Sequence, residues 1–255
     1  MKRTITTMCF LMACVAMMGQ VEKEFAVSNF STIKFCTAGK VIYKIGKKPS
    51  VHVVGVKETV DKIEVNVSDG VLTISQKADK KARKESSTAP VYTITAPSLS
   101  ELNVMGVCTF EAYSVKTDGT FKLGGGGVAN VSIDLVECSN VNIRFTGVAN
   151  VKKLNVRCKQ ADIKIPGVMN GKMAIDATQL NILSNGVDHS TIGFKGERCI
   201  ANYTGTSTSK LNVDCKSLQA TSSGVAKLTV AGTADKTEIT SNGVSKIVTK
   251  ELNAY

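Results

Sequence analysis

The chain has no tryptophan, and only five Tyr and eight Phe among 255 residues. Sugar-binding platforms stack on broad aromatic faces, so a carbohydrate site built on Trp is excluded and one built on Tyr has little material. Histidine is scarce as well, with His52 and His189 the only two. The cysteines follow no zinc-ligand spacing, so neither a metal site nor a metal cofactor is expected. No window shows a sustained helical stripe, because Val, Thr, Ile, Asn and Ser dominate, which excludes a helical fold. Beyond the N-terminus no apolar run approaches the roughly 18 residues that span a bilayer, so no transmembrane span is expected in the mature chain.

What is present begins with a leader. MKRTITTMCFLMACVAMMGQ places Lys2 and Arg3 before an apolar stretch from Met8 to Met18, the layout of a secretory signal over residues 1–19. Leu11-Met12-Ala13-Cys14 also resembles a lipobox, with Cys14 as the lipidated residue. The apolar stretch continues past Cys14, which favours ordinary export. The expected location is the periplasm, the outer-membrane surface or the cell surface. Loss of Lys2 and Arg3 lowers the formal charge from +11 to +9. A basic exported chain attracts anionic glycans, lipopolysaccharide or an acidic host surface, although the densest run, Lys77 to Lys84, reads as a solvated loop. Export and the lack of a recognised binding motif argue against nucleic acid as a partner.

The N-terminal third reads as strands. Ile33 and Phe35, then Val41, Tyr43 and Ile45, alternate with polar residues, as do Ile63, Val65 and Val67 and then Leu72 and Ile74. Asp69-Gly70 stands between the last two runs and suits a two-residue hairpin turn, which predicts a hairpin of Ile63–Ser68 and Val71–Gln76. Val91–Thr95 opens the next section.

From Met105 onward a repeat takes over. Gly106, Gly127, Gly147, Gly167, Gly186, Gly224 and Gly243 are each followed by Val, and Gly205 falls in phase before Thr206; the intervals are 21, 20, 20, 19, 19, 19 and 19 residues. Six residues past these markers stand Ala112, Ile133, Met173, Ile192, Leu211 and Val230, with Lys153 and Thr249 as exceptions. Four past them, Phe110, Val131, Val151, Leu228 and Ile247 are apolar, while Gly171, Ser190 and Ser209 are weaker. Alternation of this kind marks strands. A unit of about twenty residues holds two strands of roughly seven residues with tight turns, and eight units stacked at about 4.8 Å make a column of roughly 35–40 Å. The predicted fold is all-β: a β-solenoid of two flattened parallel sheets over residues 105–255, preceded by an N-terminal β region over residues 20–104. The marker glycines belong at tight corners, where the lack of a Cβ permits backbone angles that other residues avoid.

The candidate sites are few. Gly124 to Ala129 satisfies a G-x-G-x-x-A pattern, but a dinucleotide site needs a helix after the turn, and Asn-Val-Ser-Ile-Asp-Leu is a strand. Asn130, Asn150 and Asn170 share a phase and can form a hydrogen-bonded ladder or a ligand-binding row. Cys138 and Cys158 also share a phase, with Cys215 one residue off it, so they are either buried thiols or a Cys138–Cys158 disulfide. Asp134, Asp162, Asp176, Asp188 and Asp214 read as solvated charges at different phases, and His189 and Arg198 have no evident partners, so no catalytic set is expected.

The order of these motifs resembles the putative auto-transporter adhesin, head GIN domain family of exported Bacteroidetes proteins. The resemblance rests on Phe30-Ser-Thr-Ile33, on Lys62-Ile63 through Asp69-Gly70-Val-Leu-Thr-Ile-Ser75, on Ala96-Pro97-Ser-Leu99 followed by Glu101-Leu102-Asn-Val104, and on the train of turn glycines. Gly39-Lys40-Val41 stands where the family carries the Gly-Ile-Asn that names it. The resemblance implies a right-handed parallel β-helix related in shape to pectin-lyase-like folds, no identified catalytic set, and a role in adhesion. The expected function is display of a stiff surface that binds a host, glycan or envelope ligand, with a homo-oligomer compatible with the sequence. The rival readings are a β-helix carbohydrate-active enzyme and a purely structural envelope component.

Overall fold

The computed structural model describes residues 19–77 and 89–254. The leader with Cys14, and most of the Lys77–Lys84 run, lie outside the described residues. Among the described residues, eighteen strands and one helical turn follow in chain order. The first are β1 (Gln20–Phe25), β2 (Thr32–Phe35), β3 (Ala38–Ile45), β4 (Ser50–Val56), α1 (Lys57–Val60), β5 (Ile63–Ser68), β6 (Val71–Gln76) and β7 (Val91–Ala96). Next come β8 (Glu101–Val104), β9 (Val107–Lys116), β10 (Thr120–Gly125), β11 (Val128–Glu137), β12 (Asn140–Phe145) and β13 (Val148–Ile165). The last are β14 (Val168–Ser184), β15 (Val187–Tyr203), β16 (Thr206–Ser222), β17 (Val225–Ser241) and β18 (Lys246–Ala254).

The β5–β6 hairpin has the bounds that its alternation predicts. Asp69 and Gly70 adopt φ of 51° and 74°, the two positive angles of a primed hairpin turn. The single helical turn α1 departs from the strand reading. It connects β4 to β5, buries Val60 and is bridged by Lys57 Nζ to Asp61 at 2.7 Å.

Two columns of strands build the solenoid. In one, β1, β4 and β7 pair antiparallel, and then β7, β3, β9, β11 and the leading halves of the later strands pair parallel. In the other, the hairpin leads through β6 to β2, β8, β10, β12 and the trailing halves, again parallel. Together they make about eight stacked turns. Because β2–β3 stack directly on β8–β9, the sheet runs unbroken past Val104 and Met105, and one core cluster extends from Phe30 to Ala234.

Later units differ from two short strands with a tight turn after each. From β14 to β17 pairing continues through 17 residues, and the chain turns between columns by a slip in alternation: Ala177 and Leu180 are both buried, with Thr178 and Gln179 outside. The exception at Lys153 has a local cause. Ser132 pairs with Lys153 and Ile133 with Leu154 after a register shift, so one extra residue forms a bulge and Leu154 takes the inward place.

The marker glycines form a stack, but not for the angular reason. Of the eight, only Gly224 and Gly243 have positive φ, at 82° and 71°. For Gly127, Gly147, Gly167, Gly186 and Gly205, an added Cβ would fall on the carbonyl oxygen of the marker in the preceding turn, and for Gly106 on that of Thr37. Each of those oxygens accepts the next turn's inter-turn hydrogen bond, as in Val148 N–H to Gly127 O at 3.0 Å and Val168 N–H to Gly147 O at 2.9 Å. Close approach of backbone to backbone selects glycine here. The following residue faces outward, Val107 being 53% and Val225 62% exposed, so Thr206 is accommodated as readily as Val.

Candidate functional site

The three in-phase asparagines meet. Asn150 Nδ2 donates to Asn130 Oδ1 at 3.0 Å, Asn170 Nδ2 to Asn150 Oδ1 at 3.2 Å, and Asn130 Nδ2 reaches Thr109 Oγ1 at 3.5 Å. The ladder consumes its own donors and acceptors across four turns, which suits a structural strap. Replacing Asn150 with Ala removes two of its rungs at a half-buried position. The expected cost is about 1–2 kcal/mol, read as a lower thermal midpoint, and an unchanged midpoint would count against the ladder.

Cys138 and Cys158 lie side by side in adjacent turns as free thiols. Cys158 Sγ donates to the Gln160 carbonyl at 3.3 Å, and the adjacent Cys138 thiol together with burial pushes Cys158 above its ordinary value. Cys108 is pushed up to about 12 by burial alone, which makes it an inert core thiol.

The outward face of the leading column carries an open groove of about 620 Å³. Asn155, Ala174, Gly193 and Asn212 stack along it, so small side chains leave the strand surface accessible. Beside them runs a charge column, Lys116, Glu137, Arg157, Asp176, Lys195, Asp214, alternating in sign from turn to turn. Asp176 and Asp214 therefore do share a phase, contrary to the sequence reading, but Lys195 stands between them and lies 3.8 Å from Asp214. Asp134 is held by Lys153 at 2.8 Å. Asp162 accepts from Gln160 at 3.0 Å and from Asn181 at 2.8 Å. In each case the neighbour the carboxyl group engages is a lysine or an amide and not a second carboxyl group. Among the described residues no three His, Cys, Asp or Glu come together to hold a metal ion.

A second hollow, of about 440 Å³, opens on the trailing column. Gly124, in register with exposed Arg144, and Gly126, just past the end of β10, present no outward side chains, and this glycine run leads into a strand, not a helix. A Cβ at Gly124 would strike the Arg144 carbonyl, and one at Gly125, where φ is 144°, the Val104 carbonyl. The rim is polar and basic: Lys122, Arg144, Asn142 and Thr146 are exposed and Asn103 half-buried. Lys34, Asn103, Gly124, Arg144 and Lys164 follow one another in register along the same column. Glu101, 3.8 Å from Lys122, is the acidic group of the rim.

The interior holds what the sequence reading placed outside. Asp188 points inward and is 0% exposed. Around the same corner Ser184 and Ser222 are also 0% exposed, Ser190 2%, Ser207 4% and Tyr203 0%. Neither Asp188 oxygen, nor the side-chain oxygen of any of these five, has a hydrogen-bond partner within the protein. Burial raises the Asp188 carboxyl above the ordinary aspartate value, opposed in part by the nearby hydroxyls of Ser190, Ser209 and Ser184. Burial likewise raises Tyr203, with the Asp188 charge adding to it. Left without any partner, each such group would cost about 1–3 kcal/mol. The phase carried the signal: Asp188 stands two residues past its marker, where Cys108, Ala129, Ala149 and Met169 are all buried.

These features sit on a scaffold with known counterparts. Residues 29–193 match the family model described as putative auto-transporter adhesin, head GIN domain. The chain belongs to this family. Solved structures extend the likeness in fold beyond the matched segment. A putative adhesin of Bacteroides fragilis is 23% identical with a TM-score of 0.61, covering 89% of this chain and 95% of its own. A putative adhesin of Parabacteroides distasonis is 18% identical with a TM-score of 0.69, over 90% and 97%. A putative lipid binding protein of the same species is 15% identical with a TM-score of 0.66, over 90% and 96%. No curated relative matches the chain. These likenesses show a shared fold, and a fold by itself assigns no ligand. In the described part of this member no helix is long and apolar enough to cross a membrane.

Proposed function

We propose that the protein is an exported, non-catalytic adhesin of the cell envelope that holds an anionic ligand, such as an acidic glycan or lipopolysaccharide, at the Gly124–Gly126 hollow. The observation that carries this reading is the hollow itself. Gly124 and Gly126 open the strand surface, and Lys122 and Arg144 border the opening with Lys34 and Lys164 continuing the basic column. Guanidinium and ammonium donors bind carboxylate or sulfate groups through charge-assisted hydrogen bonds. The larger groove is less suited to this work, since its basic and acidic residues alternate and compensate each other.

The test is binding of the full chain to polysaccharides bearing uronate or sulfate, against neutral polysaccharides of similar size. Binding should be confined to the acidic set and weaken as salt rises. Arg144→Ala combined with Lys122→Ala should lower affinity about tenfold or more, with the fold unchanged because both side chains are exposed. Equal binding of neutral polymers, or no loss in the double variant, would overturn the assignment to the hollow. Turnover of any polymer would favour the enzyme reading, and no binding at all the structural one.

A further inference from the structure

The corner of the solenoid beside the marker glycines is lined, turn after turn, by three inward residues. In four successive turns these are Val104, Cys108 and Phe110; Gly125, Ala129 and Val131; Phe145, Ala149 and Val151; and Ile165, Met169 and Gly171. All are apolar or glycine. The next two turns bring Ser184, Asp188 and Ser190, then Tyr203, Ser207 and Ser209, and Ser222 caps them before Ala226 and Leu228 restore an apolar lining. Pairing confirms the stack: Asp188 faces Met169 on one side and Ser207 on the other, and Ser184, Tyr203 and Ser222 follow in register.

We propose that this corner is an internal binding site for ordered water, centred on the Asp188 carboxyl group and lined by the Ser184, Ser190, Tyr203, Ser207 and Ser222 hydroxyls. Two geometric facts support it. The hydroxyls do not bond to one another or to the carboxyl group, although Ser184, Ser190 and Ser209 are near enough to act on it. Oxygens that are neighbours yet too far apart or misaligned for direct bonds are bridged by a guest that both donates and accepts, and water does both. Ser184 stands where Ile165 does one turn earlier, and Ser207 where Met169 does two turns earlier, so hydroxyls replace apolar side chains in register.

The acid form follows from the lining. From β14, Met169, Gly171 and Ser184 face the carboxyl group, and from β16, Ser207 and Ser209; none of these titrates. On β15 the titratable neighbours are His189, whose ring is exposed, and Tyr203, which is buried. Among the described residues no cation stands inside the corner, so a proton is the means of neutralising a carboxyl group held away from bulk solvent. A calcium ion takes about six to eight oxygen ligands, carboxylates prominent among them, and the site has one carboxyl group.

Infrared spectroscopy of the full chain tests this. Among the described residues Asp188 is the one buried carboxyl group, so a protonated-carboxyl stretch persisting at about pH 7, where exposed carboxyl groups are ionised, reports on it. The band should vanish in Asp188→Asn, and high-resolution diffraction should show water bridging Asp188 to the serine hydroxyls. The wild-type spectrum decides the matter even if that variant does not fold. Absence of the band at neutral pH would overturn the proposal. So would a thermal midpoint that rises in sodium chloride but not in choline chloride at equal ionic strength, since an ion would then occupy the corner.

Discussion

Gly147→Val is expected to lower the thermal midpoint by about 10 °C or more, and Gly186→Val by a similar amount. The new Cβ lands on a carbonyl oxygen of the turn beneath, Gly127 or Gly167. That oxygen is engaged by the next Val N–H, so it cannot turn aside without breaking the inter-turn ladder. Either the stack opens locally or the hydrogen bonds on both sides of the corner are lost, a cost of about 3–5 kcal/mol. Gly147→Ala should be nearly as damaging, because Cβ itself is the obstacle.

Two controls separate space from angle. Gly193→Ala should be neutral or slightly stabilising, since its Cβ would meet only the Met173 carbonyl at 3.8 Å and the substitution restricts the unfolded chain. Gly243→Ala meets nothing within 4 Å but must keep φ near 71°, so its cost should be about 1–2 kcal/mol of backbone strain. Chemical and thermal unfolding of the five variants would rank them. Unchanged stability in both valine variants would mean that the turns are not packed corner on corner.

The second large effect is a dependence of stability on pH carried by Asp188. Its carboxyl is raised in the folded protein by burial, so the folded state binds the proton more tightly than the unfolded chain, whose aspartates titrate near 3.9. Its contribution is therefore fully present below that unfolded value and is lost as pH rises through the folded value. Each pH unit between the two is worth about 1.4 kcal/mol, which makes neutral and alkaline solutions the less favourable side for this group. Asp188→Asn cannot ionise and should remove the slope: the variant should gain stability over wild type as pH rises, and lose that advantage in acid. Denaturant midpoints measured from about pH 4 to pH 8 would show it, and parallel curves for the two proteins would exclude a linked proton at this position.

Much of the architecture is legible in the chain itself. Alternation with period two located the strands, Asp69-Gly70 placed a hairpin to the residue, and the spacing of Gly-Val pairs gave the pitch of the stack. Those features are local, set by pleat geometry and turn angles, and a one-dimensional pattern records them directly. The bulge at Lys152–Lys153 is legible only in part, as a break in phase, because the compensating inward step to Leu154 depends on the neighbouring turn.

The sites depended on what stands above and below each residue. Asp176 and Asp214 look like unrelated charges until register inserts Lys195 between them, and the basic hollow at Gly124 appears only when Lys34, Arg144 and Lys164 are brought into one column from well-separated segments. The marker glycines show the division most clearly. Sequence determined by itself that a small residue must recur every 19–21 positions, since only a repeating unit accounts for that spacing. Tertiary structure decided why: a carbonyl one turn away occupies the space a side chain would need. It likewise decided that Asp188 points inward, because the direction of a side chain at a corner follows from how the corner is stacked and not from the polarity of the residue.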